Sequence, residues 1–185
     1  ILMKAEQLGI HLEKGSDEAK AILTEVKALE QAGYSFEAAG GSLELLVRRM
    51  LGKSPRSWNL HEYQCSFRKY KDGHAPVCEA TVKLDVGDKT SHTASTGHGV
   101  VNALDGALRK ALTPFFSQLE KIQLIDYKVR IIDGEEATAA KTRVLIVHTD
   151  GDTTWGTVGV SDSIIEASWI ALTDGLDLFL QKTSA

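Results

Sequence analysis

Cysteine is scarce in this chain. Cys65 and Cys78 are the only two and share no CxxC spacing, so they read as buried thiols of a reducing compartment, a disulfide between adjacent strands being the alternative. No apolar run approaches the ~20 residues of a membrane span, and the first residues lack the charged region and cleavage site of a signal peptide, which points to the cytoplasm. Basic charge is not in excess. Twenty-one lysines and arginines against 25 acidic residues leave a net charge of −4, which argues against a nucleic-acid or anionic-membrane binder. The six histidines include no pair at i, i+2 or i, i+4, so no metal site is expected. GxSxG, P-loop and GxGxxG motifs are missing too, and the chain is not expected to be catalytic by itself.

What is present is a repeat. At an offset of 64, Leu60 to Phe116 aligns without a gap on Leu124 to Leu180 and gives twelve identities, against about four expected by chance at average composition. The pairs include Tyr63/Tyr127, Gly87/Gly151, Thr93/Thr157, Ala107/Ala171, Leu108/Leu172 and Phe115/Phe179. They fall on turn glycines, strand threonines and a helix face, the signature of a duplicated fold unit.

In order, residues 1 to 9 read as a short helix stopped at Gly9, and the start at Ile1-Leu2-Met3-Lys4 reads as a piece cut from something longer. Ser16 caps a helix with Ala19, Ile22, Leu23, Val26 and Leu29 on one face, ending at Gly33. A further helix is expected from about Ser35 to Leu51, burying Leu43, Leu46, Val47 and Met50 and turning Glu44, Arg48 and Arg49 to water, with a break at Gly40-Gly41. Residues 52–57 form a linker. Strands follow at 60–70, 77–86 and 90–95 with a helix at 99–116, then strands at 123–132, 141–149 and 153–160 with a helix at 162–180 capped by Ser161. The expectation is an α+β chain: a helical linker subdomain over 1–57, then a domain over 58–185 made of two β-β-β-α units, 58–118 and 122–181, about a pseudo-two-fold axis. A sheet with one bare face invites a second copy, hence a homodimer.

Each repeat helix begins after a turn of small residues, Gly97-His98-Gly99 and Ser161-Asp162-Ser163. Amide N–H groups at a helix start suit a carboxylate, and the neighbouring Val100, Val101, Ile164 and Ile165 suit an aliphatic side chain. The composite fits a small branched amino acid. Plain helix capping accounts for the same residues.

Three stretches carry a family resemblance: Trp155 to Leu172, Gly97 to Leu104 and Leu124 to Arg130 resemble the C-terminal regulatory domain of the α-isopropylmalate synthase family. Gly33 to Ala39 and Ser42 to Leu46 look like the linker of its citramalate synthase branch. The resemblance implies a homodimeric acyltransferase whose TIM barrel, outside this chain, uses a divalent metal to condense acetyl-CoA with a 2-oxo acid, pyruvate in that branch. No cofactor is implied for the present residues. It further implies feedback inhibition by isoleucine, or leucine in the other branch, bound at the dimer interface. Carried over by motif, the effector pocket comprises Val101 and Asn102, the strand residues Leu124, Tyr127 and Ile131, then Thr138 and Ala140, and finally Asp162, Ser163 and Ile164. The sequence departs from the family at Val100, where proline is frequent, and at Asn102, where aspartate is frequent and asparagine offers only a neutral acceptor. A dimeriser without an effector site is the other reading.

Overall fold

The computed structural model describes residues 13, 15–53, 55–132 and 140–183, which divide into two units: residues 56–122, and the residues up to 55 together with 123–183.

The first unit is β1 (Asn59–Arg68), β2 (Val77–Val86) and β3 (Lys89–Gly97), an antiparallel sheet in that order, followed by α3 (Val100–Leu112) and a 3-10 turn at Ser117–Lys121. The period of two along β2 buries Cys78, Ala80, Val82 and Leu84, and α3 lays Ala103, Leu104, Ala107, Leu108 and Ala111 over that face. Each fully buried leucine contributes about 1.5–3 kcal/mol. The helix stops at Leu112 rather than near Phe116, because Pro114 cannot continue it. Arg109 then holds the turn, pairing with Asp105 at 2.9 Å and donating to the carbonyl of Ile122 at 2.8 Å.

The second unit repeats this plan with β4 (Gln123–Ile131), β5 (Thr142–Thr149), β6 (Thr154–Ser161) and α4 (Ile164–Thr183). The offset of 64 survives in detail. Asn59 pairs with Asp85 as Gln123 pairs with Thr149, and the ladder slips between Leu60 and Glu62 as it does between Leu124 and Asp126. Gly87 and Gly151 both take positive φ, 61° and 97°, at the β2–β3 and β5–β6 turns. The copies differ inside: Leu84 and Ala111 of the first become His148 and Gly175 of the second, and a Cβ on Gly175 would lie 2.1 Å from the imidazole Nε2. The His148 ring takes up the space that a Cβ at that helix position would need. His148 stacks on Trp155, whose indole N–H donates to the Gly175 carbonyl at 3.1 Å and whose ring stacks on Phe179.

The second unit also carries α1 (Asp17–Gln31) and α2 (Gly40–Met50). Ser16 caps α1 as expected, accepting the Ala19 N–H at 3.1 Å, and Gly33 follows its end at φ 108°. These helices cover the outer face of the second sheet: Ile22, Val26, Phe36, Ala39, Leu43 and Val47 form one core with Val158, backed by Leu145. At the matching positions the first sheet has Ala94 and Thr81, so only the second copy is apolar on both faces.

Several expectations change. Helix α2 begins at Gly40, not Ser35, because Phe36 and Ala39 are buried in that core and residues 34–39 cross the sheet unwound. The glycine pair is its first turn: a Cβ on Gly41 would lie 2.7 Å from the Gly156 carbonyl. Leu45 is buried while Met50 is exposed, and Glu44 is buried rather than facing water; Arg48 and Arg49 keep part of their surface exposed but make the ion pairs described below. Helix α4 is capped by Ser163, which accepts the Glu166 N–H at 3.4 Å, while Ser161 accepts that of Ser163 at 3.1 Å. The 1–9 helix lies outside the described residues. Both cysteines are free thiols, Cys78 buried and Cys65 partly so.

Candidate functional site

In the second unit the ladder aligns Ile131 with Thr142 and Thr142 with Ser161, so the end of β4 and the start of α4 lie at one end of the sheet. Ile131 is 69% exposed and Ile164, the first residue of the helix, is 45% exposed. Val129 and Ile125 are open to solvent as well. These large apolar side chains belong to an edge strand and a helix start that no described residue covers. Tyr127, opposite Ile146, meets α4: its hydroxyl lies 2.9 Å from Ser168 Oγ, which itself lies 2.6 Å from the Ile164 carbonyl oxygen. The single serine proton goes to that carbonyl, so Tyr127 donates and ties β4 to the first turn of α4. Leu124 is half-buried at the β4 bulge, Ala140 is buried, Asp162 and Ser163 are exposed, and Thr138 lies outside the described residues. The structure thus brings Ile131, Ser163 and Ile164 to one end of the sheet, with Tyr127 at mid-strand and Leu124 towards the other end of the same strand.

Val101 and Asn102 belong to the first unit. Asn102 Oδ1 accepts the His98 backbone N–H at 3.2 Å, folding back over its own helix start, where a Cβ on Gly97 would lie 2.6 Å from that oxygen. This is a third-position side chain closing the turn before the helix. The repeat relation reappears here, since Phe67, 62% exposed, is the counterpart of Ile131 at the end of the corresponding edge strand.

The sequence reading missed a polar network inside the second unit. Ser42 Oγ accepts the edge N–H of Val158 at 3.0 Å and donates to Asp174 Oδ2 at 2.8 Å. Arg49 then spans Asp174 and Asp177 with one nitrogen each, both at 3.1 Å. Beside it Glu44 is held between Arg48 and Lys182, both at 2.8 Å. Ser42 thereby blunts the exposed edge of β6 while the two aspartates fasten α2 to α4. Burial pushes the Asp174 carboxyl above the usual carboxylate range, against the pull of Arg49 and the Ser42 hydroxyl. The signal was present: two aspartates at i, i+3 within an otherwise apolar α4, and adjacent arginines on α2. In the first repeat the same positions are Lys110 and Thr113.

Two β-β-β-α units, one of them carrying a helical pair clamped to its sheet, define a module with an exposed apolar end beside a helix start. The family described as the LeuA allosteric (dimerisation) domain matches residues 37–180, and the chain belongs to it. The chain is 48% identical over 182 residues to an (R)-citramalate synthase of Aquifex aeolicus, covering 98% of this chain and 34% of that protein. It is 42% identical over 183 residues to the (R)-citramalate synthase of Geobacter sulfurreducens, covering 99% of this chain and 35% of the relative. A 2-isopropylmalate synthase of Aquifex aeolicus is 34% identical over 107 residues, 58% of this chain and 19% of that protein. The chain spans about a third of the length of the citramalate synthases it matches.

Proposed function

We propose that this chain is the effector-binding and dimerisation region of a cytoplasmic citramalate synthase, an acyltransferase that condenses acetyl-CoA with pyruvate on a metal-dependent barrel, and that isoleucine is the effector. The observation that carries the reading is the extent of the likeness: the citramalate synthases match nearly the whole chain, linker helices included, whereas the 2-isopropylmalate synthase matches little more than half. The exposed end of the second unit supports it. Ile131 and Ile164 supply apolar surface for a branched side chain, and the α4 amides beside Ser163 supply donors for a carboxylate. A second copy of the chain covers the edge and closes the pocket. Feedback is then a coupling free energy of about 1–3 kcal/mol between that pocket and the barrel, carried through α1 and α2.

A purely structural dimeriser is the second reading, favoured by Asn102, whose only acceptor already caps its own helix start. Calorimetric titration with isoleucine, leucine and valine, run beside light scattering for mass, separates the two. Isoleucine alone, bound at one site per chain by a dimer, is the expected result. Leucine alone would move the effector to the isopropylmalate type, and binding by none of them would leave a dimeriser.

A further inference from the structure

The second unit holds a cavity of about 300 Å³ between the segment joining α1 to α2 and the outer face of its sheet. Its wall includes Ser35 and Glu37 on the segment, Lys128 and Arg130 on β4, and Arg143 and Leu145 on β5. Three cations therefore face one carboxylate in a chain whose net charge is −4. The ladder sets Arg130 directly opposite Arg143, with Lys128 one pleat away on the same face. Like charges directly opposed across strands destabilise a sheet unless something neutralises them.

Among the described residues, the protein's own groups do so only in part. Lys128 pairs with Asp126, and the Arg143 Nε–H donates to the Gly33 carbonyl, which fixes the guanidinium beside the cavity. Arg130 makes no hydrogen bond or ion pair among the described residues. The fold does not demand these charges either, since the first repeat has Gln64, Ser66 and Glu79 at the positions of Lys128, Arg130 and Arg143. Two guanidinium forks and an ammonium match the oxygens of a phosphate or carboxylate. The volume lies at the lower end of small-molecule sites, which suits a compact ligand.

We propose that this cavity binds a small multivalent oxyanion, a phosphate ester or a dicarboxylate, which neutralises the Arg130–Arg143 pair and fastens the α1–α2 segment to the sheet. The site is separate from the effector pocket and independent of that reading.

The test is calorimetric titration of the chain, in phosphate-free buffer, with inorganic phosphate and with succinate, against sodium chloride at matched ionic strength. Binding by phosphate alone would assign a phosphate ester, by succinate alone a dicarboxylate, and by both an oxyanion read by charge; each supports the proposal. Arg130→Gln, at an exposed position outside every described hydrogen bond, should fold normally and weaken binding about tenfold, the scale of one charge-assisted contact. Heats no greater than those of sodium chloride, or wild-type affinity in Arg130→Gln, would overturn it. The isoleucine titration reads out independently, so either conclusion can fail alone.

Discussion

Thr157 Oγ1 lies 2.7 Å from the carbonyl oxygen of Ala171, fastening the middle strand position of β6 to α4. Sixty-four residues earlier Thr93 makes the same bond to Ala107, also at 2.7 Å. Both copies thus pin helix to sheet by a threonine hydroxyl reaching a helical carbonyl, and the environment decides its worth. Thr157 is fully buried and also lies 3.2 Å from His148 Nε2, whereas Thr93 is only half-buried. Thr157→Val should cost about 1–3 kcal/mol, because buried partners are left unsatisfied. Thr93→Val should cost less, since Thr93 itself is half-buried and its hydroxyl is closer to solvent than that of Thr157. Urea unfolding of both variants checks this, and equal losses would contradict the burial argument.

The glycine pair of α2 offers a sharper contrast. A Cβ on Gly40 meets nothing within 4 Å, while one on Gly41 meets the Gly156 carbonyl at 2.7 Å and Leu178 at 3.2 Å. Gly40→Ala should leave stability unchanged or raise it by up to about 1 kcal/mol through helix propensity. Gly41→Ala should lower the thermal midpoint, since backbone must move to admit the methyl group. A midpoint unchanged in Gly41→Ala would show that α2 does not sit this close to β6.

Arg49 pairs with both buried aspartates of α4. Arg49→Met should therefore cost about 3–5 kcal/mol by removing the cation they share. The pH dependence has a definite sign. The folded chain holds the Asp174 proton more tightly than the unfolded chain does, so this group's stabilisation is present in acid and is lost as pH rises from the ordinary carboxylate value through the raised one. Asp174→Asn removes that step, and unfolding free energies measured from pH 4 to 8 should fall less steeply for the variant than for the wild type. Parallel profiles would rule the assignment out.

For the effector pocket, Tyr127→Phe and Tyr127→Ala divide the residue's two roles. Tyr127→Phe removes the bond to Ser168 and should cost about 1 kcal/mol of stability while keeping the apolar wall. Isoleucine affinity should change little in Tyr127→Phe and fall by about tenfold or more in Tyr127→Ala, as expected for the loss of an aromatic contact. Unaltered affinity in Tyr127→Ala would remove Tyr127 from the pocket.

Much of the fold was legible in the chain because the duplication prints it twice. Alternation along β2 and β5, the turn glycines and the helical spacing of Ala103, Ala107 and Ala111 are local signals, and each copy confirms the other. The helix at residues 40–50 was harder. Its start was misplaced because Ser35 to Ala39 has good helical composition, yet packing on β6 holds it unwound. Arg49 was assigned to water because charge on a helix usually faces it, and its partners lie more than 120 residues away in sequence. Of the pocket residues expected from the motif, Ile131 and Ile164 stand at one end of the second sheet and Tyr127 at mid-strand, while Asn102 closes its own helix start instead of standing open.

By itself, then, the sequence determined the repeat: its offset of 64, its turn glycines and the β-β-β-α order of each copy, all of which follow from short-range pattern. Only the tertiary structure decided how the two copies diverge. The partners of Ser42, Arg49 and Arg143 are brought near by chain folding rather than by spacing, and burial then turns ordinary surface charges into a latch on one face and an open cationic cavity on the other side of the α1–α2 segment's contact with the sheet. A one-dimensional pattern carries periodicity, but the worth of a charge depends on what surrounds it in space.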